Sequence, residues 1–234
     1  MSERVDGYAG APQSIYSDHF LGTHAIDGPM GYKLEVPPLH PLLFSVTLQG
    51  HGEAHAALMR EYSHAHVLLA LLRDGFHEQS RGGQVRLRKD GSPELDYPIT
   101  DFVWDGVRRA LLSMAEIQFA AGARSAGPVH ELGAQYKSWP EARTAIENLP
   151  FKPLIARVVS AHVMGGCAMG ADAKSSVVNA YGTHHQIENL SVFDGSVFPT
   201  SLGANPQLSI YGLAARNASR LAGQLSGKPA PTPV

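Results

Sequence analysis

A chain of 234 residues, 44% hydrophobic and 17% charged, can bury one large core or two smaller ones. Its formal net charge of −2, with no block of like charge, gives no electrostatic basis for binding nucleic acid. A single cysteine, Cys167, excludes an intrachain disulfide scaffold. The start Met1-Ser2-Glu3-Arg4-Val5-Asp6 does not read as a signal peptide, and no apolar run approaches the ~20 residues of a bilayer span, so the expectation is a soluble, cytoplasmic protein.

Residues 1–30, rich in Gly, Ser, Asp and Pro, carry no clear period and read as an irregular segment that lies against something else. A strand is expected over Gly31–Val36, stopped by Pro37-Pro38, then an ambiguous apolar run over Pro41–Gln49. Ala54, Ala57, Leu58 and Tyr62 recur at helical spacing across His51–Tyr62, and His66–Arg73 reads as a buried strand. Gln84–Arg88 alternates at period two, Asp90-Gly91 marks a hairpin turn, and Glu94–Tyr97 returns. Together 31–98 reads as part of an antiparallel sheet with one wet face. Thr100 is placed to N-cap a helix from Asp101 to about Ala121, with Val103, Val107, Ala110, Leu111, Met114 and Ile117 on its apolar face and Gly122 at its end. Ser138-Trp139-Pro140-Glu141 is a capping box that opens a shorter helix to about Leu149. Lys152–Ser160 and Leu190–Asp194 read as strands, Leu208–Leu225 as a helix rich in alanine, and 226–234 as a disordered tail.

The chemistry-bearing residues fall in the last third. His162 stands at the lip of a glycine-rich turn, Gly165-Gly166 with Gly170 beyond, where glycines let the backbone turn sharply or approach a flat ligand. An imidazole there can serve as a general base; it can equally be an ordinary core or surface histidine. Asn205-Pro206-Gln207 precedes a helix, whose N-terminus offers free N–H groups and a positive dipole end to a carbonyl or anion; it is also an ordinary cap. Asp194-Gly195 ends an apolar run, either a ligand-facing arrangement or a simple turn. Cys167 lacks a second cysteine or any zinc spacing and is read as a packed small residue, with no metal site expected. Gly195-Ser196-Val197-Phe198 lacks the closing glycine of a nucleophile elbow.

Three pieces in order carry more information than any one alone: Ser160-Ala161-His162…Gly166-Cys167…Met169-Gly170, then Glu188 through Pro199, then Gly203-Ala204-Asn205-Pro206-Gln207-Leu208-Ser209-Ile210. This series resembles the C-terminal signature of the glucose–methanol–choline (GMC) oxidoreductases, and most of all their long-chain alcohol oxidase and dehydrogenase branch. The resemblance is close over roughly 160–224, while 7–159 is compatible with that family's substrate domain. It implies FAD as cofactor and an alcohol as substrate. It implies catalytic roles for His162, which takes the hydroxyl proton, and for Asn205. It implies FAD contacts from Ala161, His162, Asp194, Gly195, Asn205, Pro206 and Gln207.

The family's N-terminal G-x-G-x-x-G turn, which seats the FAD pyrophosphate, is absent from this sequence. The expectation is therefore the C-terminal part of such an enzyme, of mixed α+β and α/β class. An antiparallel substrate-domain sheet with flanking helices is joined to the C-terminal piece of a Rossmann-like FAD domain whose main part is missing. On this division 1–30 packs on a missing N-terminal half, 31–159 is the substrate (cap) domain, 160–225 the catalytic and FAD-contacting segment, and 226–234 a tail. The competing expectations are a binding module that has lost the cofactor and a metal-dependent hydrolase using the histidines.

Overall fold

The computed structural model describes residues 1, 3–5 and 15–230. The chain divides into two compact units, Met1–Arg73 with Ile99–Val159, and Asp74–Pro98 with Ser160–Val234. The sequence assigns 74–98 to the same stretch as its neighbours; the structure gathers it with the C-terminal third.

In the first unit, β1 (Tyr16–Ser17), β2 (Tyr32–Glu35) and β3 (Leu69–Leu72) form an antiparallel sheet in that order, with Tyr32 opposite Leu72 and Leu34 opposite Ala70. β1 lies inside the stretch expected to be irregular, while 6–14 lie outside the described residues. Period two sends Tyr32 and Leu34 to one face, where they bury against Ala110 and Met114 of α3 (Asp101–Ala120), and Phe20 stacks on Tyr32 at 5.1 Å. The ambiguous run and its successor form two short helices, α1 (Pro41–Thr47) and α2 (Gly52–Arg60). The helix α3 buries Val103, Val107 and Ala110 of the expected face together with Trp104 and Ala115 from outside it, and it ends where Gly122 adopts φ +84°. Near its start Gly106 lets the Met30 side chain approach so closely that an added Cβ would sit 3.0 Å from the sulfur.

The second helix, α4 (Trp139–Asn148), starts as its capping box predicts: the Ser138 hydroxyl accepts from the Glu141 N–H. The Glu141 carboxylate reaches back one residue further than expected, to the Lys137 N–H at 2.8 Å. The α4 residues Ala142 and Ile146 pack on Ala115 and Tyr136, with Leu111, Leu112 and Phe119 around them. His130, fully buried, is satisfied at both ring nitrogens: Nε2 lies 2.8 Å from the Pro150 carbonyl and Nδ1 accepts from the Leu132 N–H. The expected strand over 152–160 is not formed. A turn runs through Lys152–Ile155, with Leu154 at φ +68°, and only Ala156 makes a bridge, to His130.

In the second unit, β4 (Gln84–Leu87) and β5 (Pro93–Asp96) form the expected hairpin, with Gly91 at φ +80° and the Asp90 carboxylate accepting from the Ser92 N–H and hydroxyl. It does not extend the first sheet, and both its faces are exposed rather than one. The Tyr97 hydroxyl donates to the Asp74 carboxylate, which also receives the Ser80 hydroxyl. Burial, and then this hydrogen bond and charge, push the Tyr97 phenol above its usual range near 10.0. The folded chain therefore keeps a proton that the unfolded chain releases. This contribution to stability is whole below about pH 10 and falls as pH rises beyond it. Tyr97→Phe is expected to flatten that part of the alkaline stability profile, measured by denaturant titration between pH 9 and about 11.

The rest of the second unit is mostly loop. Leu190–Asp194 is not a strand. Ser191 makes one bridge to Thr183, flanked by bonds from His184 N–H to the Leu190 carbonyl and from Val192 N–H to that of Gly182. The pairing ends there because Asp194 turns the chain into a 3₁₀ turn, Gly195–Val197, whose Ser196 N–H it caps. The last helix, α5 (Gln207–Ser226), closes on Gly227 in the left-handed conformation. Beyond it 227–230 do not trail away as a tail: Ala230 and the Lys228 carbonyl lie over Gly223, where an added Cβ would meet both at about 3 Å. Residues 231–234 lie outside the described residues.

Candidate active site

The glycine-rich turn after His162 is built on backbone that only glycine adopts easily, with φ +84° at Gly165 and +98° at Gly166. Its return is fastened to the 3₁₀ turn: the Cys167 N–H donates to the Ser196 carbonyl and the Met169 N–H to that of Val197. Gly195 is buried beneath it. A Cβ there would sit 3.1 Å from Ile210 Cδ1 and 3.2 Å from the Val163 carbonyl oxygen, so the start of α5, the His162–Val163 backbone and Gly195 form one close-packed seam.

Above this seam lies a cavity of about 200 Å³, open to solvent and lined by Ala161, His162, Val163, Pro206, Gln207, Ile210 and Tyr211. Four of the residues expected at a site, Ala161, His162, Pro206 and Gln207, thus meet on one surface. The His162 ring makes no hydrogen bond among the described residues and is partly buried, so its nitrogens are available to a ligand. Pro206 is buried at the N-cap position, and its carbonyl accepts the Ile210 N–H. The N–H groups of Gln207, Leu208 and Ser209 have no carbonyl within the helix and form its positive end.

Three expected residues do not line the cavity. Asn205, partly buried, precedes Pro206 in the chain. Asp194 spends one carboxylate oxygen on the Ser196 N–H and hydroxyl, and Gly195 is the floor of the seam. Val163, Ile210 and Tyr211 are the lining residues that sequence reading missed. Tyr211 stands one helical turn after Gln207, and the Gln207 amide donates to its hydroxyl at 2.8 Å. The (i, i+4) spacing from an already suspected residue is the signal that could have found it.

The family model described as GMC oxidoreductase matches residues 78–214, more than half of the chain. The chain belongs to the GMC oxidoreductase family. It is 30% identical over 200 residues to a long-chain-alcohol oxidase of Arabidopsis thaliana, covering 82% of this chain and 26% of that protein. It is 31% identical over 145 residues to an uncharacterized GMC-type oxidoreductase of Sinorhizobium fredii, covering 57% and 28%. A shorter match, 39% over 69 residues, joins it to a cholesterol oxidase of Acinetobacter baumannii, covering 30% and 11%. The chain therefore spans about a quarter of the length of the first of these relatives. Among the described residues no helix is long and apolar enough to cross a membrane.

Proposed function

We propose that this chain is the C-terminal portion of a FAD-dependent oxidoreductase that oxidises the CH–OH group of a small-molecule alcohol, in the cytoplasm. The observation that carries this reading is the His162 ring, without a hydrogen bond among the described residues, sharing a cavity with the first turn of α5 in a chain of the GMC family. The names of its relatives, long-chain-alcohol oxidase and cholesterol oxidase, support an alcohol as substrate.

The residues present fit one wall of a flavin site. Positive backbone dipoles at the start of α5 suit an electron-rich ring edge, and Gly195, with no side chain, lets the start of α5 close on the Val163 backbone beneath it. Pro206 and Gln207 would hold the ring edge and Ala161 its rim, with Asp194 and Gly195 shaping the seam beneath. Bound there, FAD supplies the acceptor for the hydride leaving the alcohol carbon. His162 takes the hydroxyl proton as that carbon is oxidised, and Asn205 orients the oxygen. The seam beneath His162 packs the backbone next to it closely against Gly195 and the start of α5, which sets where the base is carried.

A further segment is part of this proposal: the remaining FAD surface, a Rossmann-like half with the glycine-rich turn, comes from outside these 234 residues. In support, α5 exposes an apolar stripe of Leu208, Tyr211, Ala215, Ala218, Ala222 and Leu225, with Leu208 84% accessible. The β4–β5 hairpin exposes Val85, Leu87 and Leu95. The test is anaerobic titration of the flavin-loaded protein with primary alcohols of increasing chain length. Bleaching of the flavin's visible bands with formation of one aldehyde per flavin is the expected result; bands unmoved by every alcohol would overturn the reading.

A further inference from the structure

The Asp74–Pro98 excursion leaves one compact unit to join the other, and its first two residues are fixed in place more heavily than a surface hairpin needs. The Asp74 carboxylate receives hydroxyls from both Tyr97 and Ser80, and the Ser80 hydroxyl in turn accepts the Gly75 N–H at 3.1 Å. Ser80 is buried. Thus the Asp74-Gly75 backbone is a rigid ledge. Onto it come two hydroxyls from a segment more than 120 residues away: Thr200 Oγ1 donates to the Gly75 carbonyl and Ser201 Oγ to the Asp74 carbonyl, each at 2.7 Å. The fit leaves no slack, because a Cβ on Gly75 would fall 2.3 Å from Thr200 Oγ1.

The Ser201 hydroxyl faces two ways. It donates to Asp74 and accepts the Gly203 N–H at 3.1 Å. Gly203 is buried with φ +70°, and the chain leaving it runs through Ala204 and Asn205 to Pro206 and the first turn of α5. One hydroxyl therefore ties the rigid ledge to the turn that sets where Asn205 and the α5 N-terminus lie. Residues 201–206 carry no helix or strand, so the path of this loop is set by individual contacts such as these.

We infer that Ser201 is a positioning residue, whose hydroxyl, held between the Asp74 carbonyl and the Gly203 N–H, fixes the path through Asn205 to the start of α5, where Pro206 and Gln207 share the cavity with His162. The inference rests on reading the His162 cavity as the reacting site. Loss of the hydroxyl frees the 201–205 loop while removing no side chain that lines the cavity. A displacement of about 1 Å at reacting groups costs up to ~100-fold in rate.

The test compares Ser201→Ala with Ser201→Thr in the full-length, flavin-loaded protein, by hydrogen exchange of 201–210 and by steady-state kinetics. In the alanine variant, exchange of the Gly203–Ser209 amides is expected to quicken roughly tenfold while 217–226 keeps its protection. Its kcat is expected to fall about 10- to 100-fold with KM within about twofold, and threonine, which keeps the hydroxyl, restores both to within about threefold. Unchanged exchange in the alanine variant overturns the inference, as does a quickened exchange with unchanged kcat, or a loss that threonine does not restore. If the alanine variant does not fold, Thr200→Val, which removes the neighbouring bond to the same ledge, is expected to quicken the same amides; unchanged exchange there overturns it. If the unsubstituted protein oxidises no alcohol, the flavin-oxidoreductase reading has failed, and the exchange arm still decides whether Ser201 holds the loop.

Discussion

Replacing His162 by glutamine in the flavin-loaded protein is expected to lower kcat for alcohol oxidation about 10²- to 10⁴-fold, roughly 3 to 5 kcal/mol of barrier. Glutamine keeps a polar group of similar reach in the cavity but cannot accept the hydroxyl proton, so substrate binding changes little and the loss falls on the chemical step. The geometry gives the reason. The imidazole shares its cavity with the α5 N-terminus, makes no hydrogen bond among the described residues, and sits on a seam packed closely at Gly195. The measurement is the rate of flavin reduction on rapid mixing with an alcohol in the absence of oxygen. A rate within about threefold of the unsubstituted protein would remove His162 from the chemistry.

The largest effect on stability is expected at Ile146, which is 1% exposed and packs with Ala115, Tyr136 and Ala142 where α4 crosses α3. Ile146→Ala deletes three buried carbons from a site walled by two helices, which cannot close over the gap, and is expected to cost about 3 kcal/mol. Ile117→Ala on α3 is the control. Ile117 is 39% exposed, and the same chemical change there should cost under about 1 kcal/mol. Urea unfolding of the two variants distinguishes a packed α3–α4 contact from mere hydrophobic composition. Equal losses at the two positions would contradict the packing described above.

Ile117 also shows how far the sequence could be read. Helical period finds α3 and three of its buried residues, Val103, Val107 and Ala110, but it misses Trp104, Gly106 and Ala115 and counts Ile117 as core because period alone cannot say where the covering partner stops. The Ser138–Glu141 box, the Asp90-Gly91 turn and the glycine stop after α3 are local chemistry, and each lies where the residues place it. The errors are non-local. The segments 152–160 and 190–194 have strand composition but find no neighbouring strand of sufficient length, so each keeps a single bridge. The 74–98 hairpin joins the C-terminal third through hydroxyl contacts from Thr200 and Ser201, more than 120 residues away, which no window of sequence contains. At the candidate site, His162, Pro206 and Gln207 are legible as motifs. Tyr211 becomes visible only when the helix turns it beside Gln207.

The measurement that bears most directly on the central claim is the visible absorbance of the 234-residue chain after incubation with FAD and removal of the excess, alone and with a co-expressed segment carrying the glycine-rich phosphate-binding turn. One wall of a flavin site, with the apolar stripe of α5 exposed beside it, predicts a colourless chain alone and stoichiometric flavin bands once the second segment is present. A chain that stays colourless with every such segment would contradict the assignment of the His162 cavity to flavin, and a chain yellow on its own would contradict the claim that the site needs a second half.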